Sequence, residues 1–211
     1  MSRKLMVCPY FGEFPEWWDR YQEQIPMEGY DFFVDTDLAG FKQRVGDILG
    51  IECPATEGSS KIHDYRAVLG VLYADEIAPY DWWGHTDFDC VYGRLDHFVT
   101  DEVLADCDVF SDCAYDYLAG PFTLYRVGSH AHWMYRHHPE WKSILEDETV
   151  LGWVETSLTE IAKHTVRVKI QDHHAFQQPE LLWKDGKRLM HGHREISYFH
   201  FNRSKVWPLD G

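Results

Sequence analysis

Three short apolar runs stop abruptly on turn residues or acids: Lys4 to Cys8 on Pro9-Tyr10-Phe11-Gly12, Tyr30 to Val34 on Asp35-Thr36-Asp37, and Tyr80 to Thr86 on Asp87-Phe88-Asp89. Short apolar runs bounded by turn chemistry read as strands buried in a sheet. Helical patterns separate them. Pro15 suits the first turn of a helix with Trp17, Trp18, Tyr21 and Ile25 near one face. A second helix is predicted from about Leu38 to Leu49, with Phe41, Val45, Ile48 and Leu49 on its apolar side and Gly50 as its stop. A loop at Thr56 to Ser60 and a helix from about Asp64 to Glu76 complete the third cycle. This order predicts an α/β fold with a central, mostly parallel sheet flanked by helices. Ligands of such sheets bind beyond the carboxyl ends of the strands, so Pro9 to Gly12, Asp35 and Asp87 to Asp89 are expected to converge on one cleft.

The second half is less regular and predicts a smaller, mixed or antiparallel C-terminal part. Thr100 fits an N-cap for Asp101 to Ala105, Val109 to Asp112 and Phe122 to Tyr125 read as strands, and Ser129 to His137 and Ser157 to His164 as helices. Leu181 to Leu189 reads as a hairpin turning at Asp185-Gly186, followed by a last aromatic strand from Ile196 to Phe201. With no internal repeat or flexible linker, residues 1–211 are expected to form one continuous domain. Pro208-Leu209-Asp210-Gly211 fits either a natural end or a cut inside a longer multidomain enzyme.

Charge narrows the partners. A formal net charge of −15 without a strongly basic segment opposes binding to nucleic-acid backbones and anionic membranes. An aromatic fraction of 16% favours a globular enzyme or a sugar binder with a ring-rich core and cleft. The five cysteines are scattered and contain no C-x-x-C, which points to a reducing, cytoplasmic setting rather than a disulfide framework. No run approaches the roughly 20 apolar residues of a membrane span.

Asp87 and Asp89 are the leading candidates for chemistry. Two carboxylates at i and i+2, where a strand gives way to a loop, can reach one divalent cation and leave its other positions for a ligand. An acidic protein that binds a phosphorylated ligand needs such a cation to bridge the like charges. Solvated loop acids share the same pattern, but Trp82, Trp83 and Phe88 would keep this loop dry and fixed.

The blocks PYFGEFPEW, FFVDTD, KIHDYRAVLG, YDWWGHTDFDCVYGRL and HFNRSK, in this order along most of the chain, resemble a family of small GT-A-type glycosyltransferases. Such proteins occur in bacterial polysaccharide clusters and large algal viruses. The resemblance implies a nucleotide-binding half over residues 1–93 and an acceptor-side half with a C-terminal metal and diphosphate segment over 94–211. It further implies Mn²⁺ or Mg²⁺ on the diphosphate of a UDP-sugar, and transfer of a hexose or deoxyhexose to a glycan acceptor.

Carried over by position, Asp87 and Asp89 match the metal and diphosphate acids, His200 the histidine that completes the metal shell and Lys205 the lysine that neutralises the leaving diphosphate. A hydrogen-bonded core histidine is the plainer role of His200. Arg203 and Lys205 fit either a solvated terminus or, in so acidic a chain, diphosphate partners beside His200. The order of His200 and Lys205 leans toward retention at the anomeric carbon. Pro9, Tyr10, Phe11 and Gly12 match the first nucleotide loop, where Tyr10 or Phe11 would stack on the base, and Phe88 lies between the metal acids. Asp35 is placed on the ribose or base, with capping of the following helix as its plainer role. Lys61, Asp64 and Arg66 are placed by the nucleotide, with an N-terminal cap and surface charges as the plainer reading.

His85 and the segment containing Gly120, Thr123, Tyr125 and Arg126 are assigned to the sugar or acceptor side. Glu155 is nominated as catalytic acid or base beside the sugar, together with Asp89 and Lys205, although the family often has an acidic pair where this chain has Val154-Glu155. His130 with His132, His173 with His174, and His191 with His193 lack the H-E-x-x-H order of zinc enzymes. His85-Thr86-Asp87 resembles the H-x-D of metal-dependent hydrolases, so a phosphoesterase or nucleotidyltransferase stands as one alternative. An inactive carbohydrate-binding module stands as another.

Overall fold

The computed structural model describes residues 1–25, 27–201 and 207–209. Strands β1 (Lys4–Pro9), β2 (Tyr30–Asp35) and β3 (Trp82–Thr86) are parallel, with β1 between the other two. After β3 come β4 (Cys90–Tyr92), β5 (Val109–Asp112), β6 (Phe122–Arg126) and β7 (Val168–Gln171). Five of the strands share one direction in a six-stranded sheet ordered β2-β1-β3-β6-β5-β7, and β6 opposes both of its neighbours. The mostly parallel α/β sheet is thus present.

Both faces of the sheet are covered at its centre, which is why β1 and β3 read as apolar runs, whereas the edge strands β2 and β7 are mostly half-buried. Along β1, Leu5 and Val7 enter one core and Met6 and Cys8 the other; Trp83 and Trp82 divide the same way on β3. Helix α1 (Trp18–Gln24) seals the second core with Tyr21, and helix α2 (Leu38–Leu49) seals the first with Phe41, Val45 and Leu49. Asp37 caps α2 through the Gly40 N–H, and Gly50 ends it in the left-handed conformation. Ile48, assigned from the sequence to the apolar side, is exposed.

The helix expected over Asp64 to Glu76 is different. A 3₁₀ helix covers Ser60–Val68 and is followed by two single turns, Leu69–Leu72 and Ala74–Ile77. Ser59 caps it, and the buried ion pair of Lys61 with Asp64, three residues apart, spans one of its turns.

The C-terminal part is antiparallel, as expected. β8 (Leu182–Asp185), β9 (Arg188–His191) and β10 (Arg194–Ile196) form a three-stranded meander whose first turn is Gly186-Lys187. The predicted Ile196 to Phe201 strand breaks at Ser197, whose hydroxyl donates to Asp112 Oδ2 while its amide donates to His173 O at 2.8 Å. Beyond the break, β11 (Tyr198–His200) pairs antiparallel with β4 and sets His200 opposite Cys90. Among the described residues no helix is long and apolar enough to cross a membrane.

Candidate functional site

The site is built where β3 ends. Asp87, Phe88 and Asp89 form the turn between β3 and β4, and α1 clamps that turn. Trp17 Nε1 donates to Phe88 O at 2.9 Å, while the Gln24 amide group donates to Cys90 O at 2.7 Å and accepts from the Tyr92 amide at 3.0 Å. Phe88 is buried among Tyr10, Trp18 and Tyr21, with ring centroids 4.8–5.0 Å away. With Phe88 fixed inward, the turn leaves the carboxylates of Asp87 and Asp89 both facing His200.

Strand β11 supplies the third group. The Phe201 amide donates to Asp89 O at 2.9 Å, and His200 Nε2 lies 3.1 Å from Asp89 Oδ1 and 3.9 Å from Asp87 Oδ2. Potential ligand atoms of Asp87, Asp89 and His200 all fall within 4.8 Å of one another, and this is the group of at least three such side chains found among the described residues. Burial pulls the His200 pKa down, but the hydrogen bond and charge of Asp89, with Asp87, outweigh it and leave the pKa raised. Burial likewise works to raise the Asp87 pKa, but Arg66, followed by the surrounding histidines, holds it below the ordinary range.

Arg66 Nη2 donates to Asp87 Oδ1, so the two oxygens of Asp87 are divided: one faces the guanidinium, the other His200. Arg66 comes from the Ser60–Val68 helix. In a 3₁₀ helix residues three apart eclipse. Accordingly Ser60, His63, Arg66 and the following Leu69 line one cavity of about 370 Å³ together with Pro9, Tyr10, Phe11, Trp17 and the metal acids. Ser60, His63 and Trp17 are not among the site residues expected from the sequence; for His63 the available signal is the spacing of three to Arg66 and Leu69 within KIHDYRAVLG.

The opposite face of the same helix is structural. Lys61 Nζ donates to Asp64 Oδ2 at 2.9 Å and to the carbonyls of Ile144 and Thr149 at 2.6 and 2.8 Å. Asp64 accepts in turn from the amides of Leu151 and Gly152, each at 2.9 Å. Both side chains are sealed in the interior, so their expected place beside the nucleotide is corrected, and neither is a surface charge.

Asp35 is also committed elsewhere. It accepts from the Tyr73 hydroxyl and, at 2.9 Å, from the Asp37 amide, while Asp37 rather than Asp35 caps α2. Phe11 packs against Phe41 and Tyr10 stacks on Phe14 at 5.3 Å, and both rings line the cavity, Phe11 being the more deeply buried. Gly12, at φ +138°, admits the loop at Gly58, whose amide would lie 3.2 Å from an added Cβ.

The expected sugar-side segment is corrected in part because β6 runs antiparallel to β3. Its start, near Gly120, lies at the site; Arg126 lies at the far end, opposite Trp82, where it donates to Cys107 O. Thr123 is buried on Ser111 and Ala119, and Tyr125 stacks on Trp83 with centroids 4.4 Å apart. His85 is buried beneath the cavity, and its pKa is pushed down to about 3, chiefly by burial. As a neutral ring its Nδ1 donates to Gly120 O at 3.0 Å and its Nε2 accepts from Tyr125 Oη at 3.3 Å. With both nitrogens hydrogen-bonded, His85 supports the cavity floor and stands outside the group formed by Asp87, Asp89 and His200.

Glu155 sits in a wide, π-type turn, Val154–Leu158, and accepts from the Gly120 amide at 3.2 Å. It lies across Gly120 from Arg66: a Cβ added at Gly120 would fall 2.4 Å from Arg66 Nη1 and 2.7 Å from Glu155 Oε1. Arg203 and Lys205 lie outside the described residues.

Fold and site together define an α/β protein with two carboxylates and an imidazole gathered beyond the carboxyl end of a parallel strand. The chain belongs to the family described as "Family of unknown function (DUF6625)", whose model matches residues 6–178. No curated protein matches it. In structure it is similar to a glycosyltransferase involved in the glycosylation of the major capsid of PBCV-1, with 11% identity and a TM-score of 0.47 over 93% of this chain and 92% of that one. It is also similar to A197 from STIV, with 14% identity and a TM-score of 0.41 over 92% and 93% of the respective chains.

Proposed function

We propose that the protein is a metal-dependent glycosyltransferase that moves a hexose or deoxyhexose from a nucleoside diphosphate sugar, UDP-sugar foremost, to a hydroxyl of a glycan acceptor. The observation that carries this reading is the meeting of Asp87, Asp89 and His200, with Arg66 beside them, in a cavity at the end of β3. Two carboxylates and an imidazole form a donor set that suits Mn²⁺ and also accepts Mg²⁺. Such a cation, when bound, supplies charge stabilisation to a diphosphate leaving group.

The chain's own residues would do the rest. Asp87, Asp89 and His200 hold the ion, and Arg66 and His63 offer donors to phosphate oxygens from the cavity wall. Tyr10 offers a ring to the base. In the transfer, the acceptor oxygen bonds to the anomeric carbon while the anomeric C–O bond to the diphosphate breaks and its electron pair leaves with the diphosphate. Glu155 is assigned the acceptor proton. Positioning and electrostatics would then supply most of the rate enhancement.

Calorimetric titration of UDP with and without Mn²⁺ tests this. Wild type is expected to bind UDP only with the metal, and Asp87→Ala with Asp89→Ala to lose that metal-dependent affinity. Metal-independent UDP binding that survives both substitutions would sink the proposal.

A further inference from the structure

A second cavity, of about 660 Å³, adjoins the first and shares His200 with it. Its volume lies within the roughly 300–1,000 Å³ typical of small-molecule sites. Tyr115, Tyr117 and Phe176 form its aromatic side. Tyr115 stacks on Tyr117 at 5.9 Å, and Phe176 meets Tyr115 edge-on at 5.7 Å, making a corner of two faces. Tyr115 and Phe176 are 56% and 38% exposed, so this corner offers ring surface to solvent.

The polar side is equally defined. Glu155 and His174 both line the cavity. His174 is only 6% exposed, yet its Nδ1 has no hydrogen-bond partner. Asp172 is 3.8 Å from that nitrogen, beyond hydrogen-bond reach, and burial pushes the ring's pKa down to about 4, so the contact is no ion pair at neutral pH. A buried imidazole nitrogen without a protein partner calls for a water, an ion or a polar ligand group.

Backbone conformation singles out the same place. Asp116 and Gln178 are the described non-glycine residues with positive φ, at 56° and 62°. One lies between Tyr115 and Tyr117, and the other lines the cavity beyond Phe176. His191 anchors the second, its Nε2 donating to the Gln177 and Gln178 carbonyls at 2.8 and 3.2 Å. Left-handed residues held in this way cost energy and cluster where a binding surface must be shaped.

A pyranose matches this combination: its C–H face is apolar and its rim is all hydroxyl. The carboxylate of Glu155 and the chain's net charge of −15 disfavour an anionic occupant. We propose that the second cavity binds a neutral pyranose ring of the glycan acceptor, with its C–H face on the Tyr115 and Phe176 corner and its hydroxyls hydrogen-bonded to His174 and Glu155. The acceptor role rests on the glycosyltransferase reading, because it is His200 that joins this cavity to the metal acids.

Saturation-transfer NMR on the full chain tests it, with methyl glycosides of glucose, galactose, mannose, fucose, rhamnose and xylose and their pentasaccharides as probes. At least one probe is expected to receive saturation, strongest on the C–H face of one ring. Tyr115→Ala with Phe176→Ala should cut that signal about fivefold, while Tyr115→Phe retains it. The melting temperature and Mn²⁺-dependent UDP affinity of the double variant should match wild type, which shows that the fold is intact. Absence of saturation for every probe, or equal saturation in the double variant, overturns the inference. UDP titration of the same samples separates the two claims: UDP binding without glycoside binding defeats the acceptor cavity alone, and glycoside binding without UDP binding leaves a sugar site while defeating the transferase.

Discussion

Two ion pairs leave one short helix and meet opposite fates. Lys61 and Asp64 are 1% and 0% exposed, and the main chain at residues 144–152 satisfies both of them. Arg66 and Asp87 are 12% and 19% exposed, and their neighbours are side chains that a metal or phosphate can replace. The first pair is closed and holds the helix to its support. The second is open toward the cavity, so its charges remain usable. Residue type alone does not separate the two; what separates them is whether peptide groups complete the hydrogen bonding.

Substitutions can break this contrast. Asp64→Ala strands an ammonium and two backbone amides in the interior, which is expected to cost about 3–5 kcal/mol and lower the melting temperature by roughly 6–20 °C. Scanning calorimetry checks this, and any metal-dependent UDP affinity should persist below the new transition. A wild-type melting curve in Asp64→Ala would mean that the closed pair is not structural.

Arg66→Ala should reverse the balance. It removes a donor from the cavity wall, with an expected loss of at least about tenfold in UDP affinity, read by calorimetry, and a smaller loss of stability than Asp64→Ala, because His200 still faces Asp87. Gly120→Ala sharpens the comparison without touching a charge. Its new Cβ would displace the ends of Arg66 and Glu155, both of which are long side chains able to move. UDP affinity should fall severalfold while urea unfolding changes by about 1 kcal/mol or less.

A surface bridge supplies the weak reference. Glu195 accepts from Arg94 at 2.8 Å and from Arg188 at 2.9 Å, and these contacts, Arg94 first, lower its pKa. A depressed carboxyl pKa stabilises the fold above the ordinary value near 4.5 and loses that contribution as pH falls through the folded-state value. Glu195→Gln should therefore lower the urea midpoint slightly at pH 7 and leave it nearly unchanged at low pH. The whole effect should stay below about 1 kcal/mol.

Much of the fold was legible because it rests on local patterns. β1 and β3 are apolar runs, Gly50 stops α2, and Gly186 lies in the β8–β9 turn, which falls one residue on from the expected Asp185-Gly186 pair. Asp87 and Asp89 were legible for the same reason: a strand end fixes both the place and the shared direction of two acids separated by one residue. The helix over Asp64 to Glu76 was misread because its apolar pattern fits either winding, and the partners of Lys61 and Asp64 at Ile144, Thr149, Leu151 and Gly152 are remote in sequence. Arg126 was misplaced because strand direction is a property of the sheet, and nothing within residues 120–126 states that β6 opposes β3.

By itself, then, the sequence determined an α/β sheet with buried parallel strands, an acid pair at the carboxyl end of one of them, and a charge that disfavours polyanions. Tertiary structure alone decided which charged residues face the cavity. It brought His200 to Asp89 through the pairing of β11 with β4, closed Lys61 and Asp64 into the core, and set Glu155 across Gly120 from Arg66. Apolar periodicity and turn chemistry act over a few residues, whereas the fate of a charge depends on which distant peptide groups or side chains share its desolvated space.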